Sequence, residues 1–309
     1  MRDGSTSANR SRWKAAAHDR SEVKIYLPDE DGEYRIWSMS DGPWIADISA
    51  ARNRLRVTGA DCVEFLHGQC TNDIKKLGVG DTCYAAFLNA KGRMRGEGHV
   101  ICQADAFLLE TSPGLAPSLE KFIITEDVMI EDMSAALGEW LVIGGARADL
   151  PAGAVTFPHA LGLGVISGER MAETINAEVL EALRIEAGLP CWGVDMDENT
   201  IPNEAGLEER AISYDKGCYI GQETIARIKT YGHVNRQLVQ MALTGQDVPA
   251  RGDKVVVEGR EVGQVTSAVF SSRLGKPLAL GYVRRELAKT GVTLKWNNQL
   301  VEVRRVCGE

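Results

Sequence analysis

The last quarter of the chain is the segment that most restricts its fold. Six short apolar runs, Gln237–Leu243, Lys254–Val257, Glu261–Phe270, Leu278–Val283, Val292–Trp296 and Leu300–Val306, follow one another with glycine turns between them. Short strands at this spacing predict a small β-barrel. A boundary near residue 234 follows, with residues 235–309 as the barrel domain.

Upstream the pattern is mixed. Residues 54–57 read as a strand and Ala60–His67 as a short helix. Asp81–Ala90 and Arg93–Gln103 are apolar-rich runs split by Lys91-Gly92, a hairpin signal, and Ala106–Glu110 supplies a third strand. Leu115–Ile123 reads as helix, and Asp127–Ile130 and Glu139–Ile143 as strands. Ala172–Ala187 has helical period, with Ile175, Val179, Leu180, Leu183 and Ile185 apolar, and stops at Gly188 with Pro190 beyond. Hairpin-linked strands among helices predict an α+β region with antiparallel sheets over residues 44–234, built as two interleaved subdomains. Residues 1–43 form a polar extension, expected to be partly disordered over residues 1–22, although Val23–Leu27 and Tyr34–Ile36 flank a turn and suit a hairpin.

Several function classes are disfavoured. A net charge of -8 argues against a nucleic-acid footprint. No apolar run approaches the ~18 residues of a membrane span, and the first residues lack the apolar core of a secretory signal. The seven cysteines are scattered without a CxxC pair, so neither a disulfide framework nor a metal site is signalled, and a reducing cytoplasm fits best. No Gly-x-Gly-x-x-Gly follows a strand and no Walker lysine motif occurs.

The richest local segment is Lys216-Gly217-Cys218-Tyr219-Ile220-Gly221-Gln222-Glu223. Gly217 and Gly221 permit backbone angles or close approaches that a Cβ would block, and helical spacing follows from Thr224 to Lys229. The segment therefore reads as a tight loop feeding a helix N-terminus, where a thiol is activated and anions are attracted. Cys218 is open to three roles: a reactive thiolate, its pKa depressed by Lys216; a ligand to an iron-sulfur species; or a small structural residue. One cysteine does not hold a cluster alone.

With its surroundings, this segment resembles the signature of the YgfZ-type folate-binding proteins. Val57-Thr58-Gly59-Ala60-Asp61, Phe65-Leu66, Thr71-Asn72-Asp73, Tyr84, Leu88-Asn89 and Gly92 resemble the N-terminal pattern shared with the glycine-cleavage T-protein. Arg184-Ile185-Glu186-Ala187-Gly188 and Ile201-Pro202-Asn203-Glu204 do so as well, and the likeness spans about residues 45–309. It implies three domains around a central channel that accepts tetrahydrofolate or a derivative, the last domain being the barrel.

The resemblance also implies site residues. A pterin asks for a carboxylate that accepts two parallel hydrogen bonds, and Glu186 matches the position that grips it. Tyr84 matches a cavity-lining position, and Arg227 suits the anionic end of a folate. The aspartate that assists aminomethyl transfer falls on Glu97, with Gly96 in place of its neighbour. A reacting group displaced by about 1 Å loses about 100-fold in rate, which weakens the case for that transfer. The implied role is an accessory factor binding folate and serving iron-sulfur enzymes or their assembly proteins, with an indirect link to tRNA modification. The alternative is a folate-dependent aminomethyltransferase or other one-carbon transferase using Glu97.

Overall fold

The computed structural model describes residues 24–28, 34–38, 43–144 and 149–308. The expectation for residues 1–22 lies outside them. Within the extension, β1 (Lys24–Pro28) pairs antiparallel with β2 (Tyr34–Ser38).

The next elements are β3 (Trp44–Asp47), β4 (Asn53–Thr58), α1 (Cys62–Gln69), β5 (Thr82–Leu88), β6 (Met94–Cys102) and β7 (Phe107–Thr111). After them come α2 (Leu115–Glu120), β8 (Met129–Asp132), β9 (Gly138–Ile143), β10 (Val155–His159) and β11 (Gly162–Ser167). Strands β5-β6-β7-β4-β8 form one sheet and β10-β11-β9-β3 a second. The β5–β6 hairpin turns at Gly92, whose φ of 75° is one that a side chain disfavours.

One face of the five-stranded sheet is apolar. Leu55, Val57, Phe87, Val100 and Leu109 bury against Phe65 and Leu66 of α1 and Leu115 and Leu119 of α2. The other face is polar although also buried. Tyr84 pairs with His99, His99 with Glu110, and Glu110 with Arg54, so these four stand in one cross-strand row.

Strands β10 and β11 are absent from the sequence expectation for a physical reason. Proline in a strand marks an edge, and Pro158 lies in β10, the edge strand of its sheet. Gly164 on β11 leaves room for the Phe157 ring, which a Cβ would meet at 2.1 Å. Both features weaken the strand pattern.

Helix α3 (Ala177–Ala187) begins later than the periodicity predicts. The N–H groups of Thr174 and Ile175 donate to the Ile45 carbonyl, which holds that stretch extended against β3. Asn176 then caps the helix, its side chain accepting from Val179 N at 3.0 Å. Gly188, at φ 64°, ends it in the left-handed conformation.

Helices α4 (Glu208–Ala211) and α5 (Gln222–Tyr231) precede the last six strands. These are β12 (Arg236–Leu243), β13 (Lys254–Val257), β14 (Arg260–Ser271), β15 (Lys276–Arg284), β16 (Thr293–Trp296) and β17 (Gln299–Val306). They close a barrel in the order β12-β15-β14-β13-β16-β17, as the six runs predicted. Val239, Met241, Val265, Leu294 and Val303 fill it. Outward-facing Leu238, Leu278 and Leu280 pack on Ile185 of α3. The fold is thus α+β, with two sheets, the barrel behind α3, and a central cavity between the sheets and that helix.

Arg54 joins the two sheets. Its guanidinium donates to the carbonyls of Ser49, Arg52, Ser134 and Leu137, and stands 3.9 Å from Glu139 on β9. Neither carboxyl oxygen of Glu139 has a hydrogen-bond partner among the described residues. Burial, reinforced by the Glu110 charge, pushes this carboxyl up to about 9. An unfolded glutamate ionises near pH 4.3, so between that value and pH 9 the folded state holds a proton the unfolded state has lost, and stability falls as pH rises. The slope reaches at most about 1.4 kcal/mol per pH unit. Glu139→Gln should therefore gain stability over the parent progressively from pH 5 to pH 9 in urea denaturation; a constant difference across that range would contradict the buried neutral carboxyl.

Candidate functional site

The polar face of the five-stranded sheet forms the floor of a cavity of about 300 Å³. Leu141 of β9, Leu161, Leu180 of α3 and Trp192 wall it with apolar surface, and Tyr84, Glu97, His99 and Glu110 are the polar groups of its floor that face them. Flat, amphipathic ligands suit such a lining.

Arg52 organises the floor. Its guanidinium bridges both carboxylates, bonding Glu97 through two nitrogens and Glu110 through Nε. Burial alone would lower the guanidinium pKa, but the charges of Glu110 and Glu97 outweigh it and hold it well above its ordinary value. The Tyr84 hydroxyl donates to Glu97 Oε2 at 2.7 Å. Burial and then the Glu97 charge raise this phenol, so Tyr84 remains a donor. Arg210 of α4 lies over the Tyr84 ring at 4.8 Å, a cation–π distance.

His99 completes the row, its Nδ1 2.7 Å from Glu110 Oε2. Burial would raise the Glu110 carboxyl, yet the Arg52 charge and His99 hold it well below the usual carboxylate range. Glycines make room for this arrangement: a Cβ on Gly98 would meet the Glu110 carbonyl at 2.0 Å. Facing His99, His159 is pushed down to about 3 by burial and then by the His99 charge, and so stays neutral.

Residues 36–154 match the GCVT N-terminal domain, and residues 236–307 match the glycine cleavage T-protein C-terminal barrel domain. The chain belongs to the glycine-cleavage T-protein superfamily. It is 29% identical to a chloroplastic protein of Arabidopsis thaliana that carries a transferase name, over 86% of this chain and 71% of the relative. An aminomethyltransferase of Rippkaea orientalis is 38% identical over 37% of this chain, and that match spans 31% of the relative's length. The glycine cleavage system aminomethyltransferase T of Bartonella henselae shares the fold, with a TM-score of 0.69 over 85% of each chain at 19% identity.

Within this superfamily member, Tyr84 and Glu97 come together in the cavity, whereas the other residues singled out from sequence do not join them. Glu186 lies on the opposite side of α3. Its carboxylate accepts from Ser271 Oγ at 2.5 Å and from Arg273 Nε at 2.7 Å, both in or beside the barrel. Helical geometry explains the displacement: at 100° per residue, the face bearing Ala177, Leu180, Glu181 and Arg184 lines the cavity, and Glu186 turns away from it. Glu181 occupies the cavity instead. Arg227 is exposed on α5 and does not line the cavity.

The Lys216–Glu223 segment lies outside the cavity lining as well. Lys216 is buried, and its ammonium donates to the carbonyls of His67, Cys70 and Asn72 at 2.5, 2.6 and 2.9 Å. That charge fastens the loop to the C-terminal end of α1, where free carbonyls favour a cation, instead of being directed at Cys218. Tyr219 is buried beside Lys216, its ring centroid 4.9 Å from Nζ. Gly221 caps α5 at φ 85°, and a Cβ there would meet the Asn89 carbonyl at 2.6 Å. Gly217 has no such need: its Cβ position would make ordinary contact with His67. Gln222 and Glu223 open α5, and Cys218 is exposed ahead of it. Among the described residues no group of three His, Cys, Asp or Glu side chains is placed to hold a metal.

Arg52, His99, Glu110, Glu181 and Arg210 are the cavity residues that the sequence reading misses. Arg52 separates two buried carboxylates, so its removal leaves both charges unpaired. Arg52→Met is expected to lose about 3–5 kcal/mol of stability at neutral pH, the scale for breaking a buried pair; a loss below about 1 kcal/mol in denaturant unfolding would show that the cluster does not hold the floor.

Proposed function

We propose that the cavity binds a tetrahydrofolate or a derivative, and that the protein is a cytoplasmic accessory factor supporting assembly, maturation or repair of iron-sulfur enzymes, and through them tRNA modification. The observation that carries the folate reading is the lining itself. Leu141, Leu161, Leu180 and Trp192 offer apolar surface to a flat ring, and Tyr84 adds an aromatic wall with a hydroxyl. Glu181 supplies the pterin carboxylate in this reading. Of the cavity's carboxylates, Glu97 and Glu110 are engaged by Arg52 and their neighbours, whereas Glu181 is paired through both oxygens with Arg184 and keeps a 42% exposed side chain. A bound folate would supply nitrogen atoms that carry one-carbon groups.

The iron-sulfur reading rests on the resemblance of the Lys216–Glu223 segment. Cys218 is exposed and supplies one thiol, which suits transient contact with a client protein better than cluster carriage. A specific observation keeps one-carbon transfer as the second reading: Glu97, at the place of the assisting aspartate, does face the cavity. Its two oxygens are nevertheless occupied by Arg52 and Tyr84.

Titration with 5-formyltetrahydrofolate, followed by tryptophan fluorescence, tests the site. Glu181→Gln is expected to raise Kd by about 10- to 100-fold, as for a charge-assisted bond worth about 1–3 kcal/mol, while Glu186→Gln stays within about twofold. A loss confined to Glu186→Gln would return the pterin carboxylate to that residue. Glycine-cleavage reconstitution separates the two functions: methylenetetrahydrofolate formation abolished by Glu97→Ala would establish the transferase. Cys218→Ala is expected to impair iron-sulfur enzyme activities in a strain lacking the parent protein while leaving folate affinity unaltered; full complementation by that variant removes the thiol from the function.

A further inference from the structure

His99 and Glu110 have a geometry that ligand binding alone does not require. The Glu110 carboxylate is held ionised by Arg52, so it only accepts, and the contact at 2.7 Å therefore places the proton on His99 Nδ1. The neutral ring is left with a lone pair at Nε2, and no described residue bonds to that atom. The ring lines the cavity. Its orientation is fixed by packing, with the Tyr84 ring centroid at 4.9 Å and that of Phe157 at 4.5 Å. A carboxylate that sets the tautomer of a packed imidazole, whose other nitrogen opens on a ligand cavity, is an arrangement suited to moving a proton.

We propose that His99 and Glu110 form a proton-transfer pair serving the ligand in the cavity, His99 being the residue that touches the ligand and Glu110 the one that positions it. Resting on the folate reading, the partner atom is a basic ring nitrogen of a reduced pterin. In the donating direction the N–H bond at His99 Nε2 breaks as an N–H bond forms on the ligand nitrogen. The imidazolium becomes neutral and the positive charge moves to the ligand. The Nδ1–H bond to Glu110 persists throughout, and the reverse transfer restores the pair.

The groups facing His99 are consistent with a single exchanging proton. Tyr84 on β5 stays protonated. His159 on β10 stays neutral. Arg52 is tied to Glu97 and Glu110 behind the ring, and Arg210 lies over Tyr84. Phe157, whose ring centroid lies 4.5 Å from that of His99, is apolar.

Two readouts on the full chain test the pair. Nitrogen-15 NMR of histidine-labelled protein without ligand should show the neutral His99 ring as the Nδ1–H tautomer, with His99→Gln assigning the resonance. An Nε2–H tautomer overturns the proposal whether or not folate binds. The affinity for tetrahydrofolate, whose N5 is an unacylated amine, measured without oxygen, should change about tenfold per pH unit over the range in which one proton is exchanged, and His99→Gln should bind more weakly with a flat profile from pH 5 to 9. A flat profile for the parent, or a retained slope in His99→Gln, also overturns it. Absence of folate binding at every pH defeats the folate reading instead, and the tautomer then decides the pair.

Discussion

The buried ion cluster on the polar face of the five-stranded sheet is the constraint on which the rest of the molecule depends. Arg52 and Arg54 flank the start of β4 and point their charges into the space between the two sheets. Taking such charges out of water is unfavourable unless each finds partners, and here they do: Arg52 between two carboxylates, Arg54 among four carbonyls. Arg52's partners lie in the five-stranded sheet and Arg54's in the connections before β4 and before β9, so satisfying the charges ties the two sheets together. Their spacing is what leaves a cavity rather than a continuous apolar core.

Two fastenings hold the other elements around the cluster. Helix α3 is shared between cavity and barrel, with Glu181 and Arg184 on one side and Ile185 and Glu186 on the other. Gln240 of the barrel donates to the carbonyls of Ile185 and Glu186, capping the helix end, while Asp195 bonds Arg184 and the hydroxyls of Thr266 and Ser267. The second fastening is the Lys216 loop, which ties α5 to the end of α1 and, through Gly221, to the turn of the β5–β6 hairpin. The most informative stretch of the sequence is thus structural at Lys216, Tyr219 and Gly221, and leaves Cys218 free at the surface.

What was legible in the sequence follows physical locality. The barrel was legible because each strand carries its own alternation and each turn its own glycine, so local signal and final fold agree. Strands β10 and β11 were not, because Pro158 and Gly164 answer to an edge position and to the Phe157 ring, neither visible locally. Tyr84 and Glu97 were found through the resemblance. His99 and Glu110 carried a signal that went unused: polar residues at alternate positions within otherwise apolar strands, an unusual pattern for a sheet buried on both faces. Glu186 lies away from the cavity because a motif match gives the residue but not the side of the helix it occupies, and Ser271 and Arg273 receive it there.

The charge balance of the floor bears on what the cavity can recognise. Arg52 bridges Glu97 and Glu110, and Arg54 stands beside Glu139, whose carboxyl is pushed up by burial. With Arg52 occupying both carboxylates, a ligand meets the Tyr84 hydroxyl and the His99 nitrogen before it meets a free anion. Recognition at the floor then depends on the donor and acceptor pattern of the ligand, and the more exposed carboxylate is that of Glu181 on the opposite wall, paired with Arg184. A flat heterocycle with a basic nitrogen toward the floor and donor groups toward α3 satisfies both surfaces at once, whereas a simple cation or a simple anion satisfies only one.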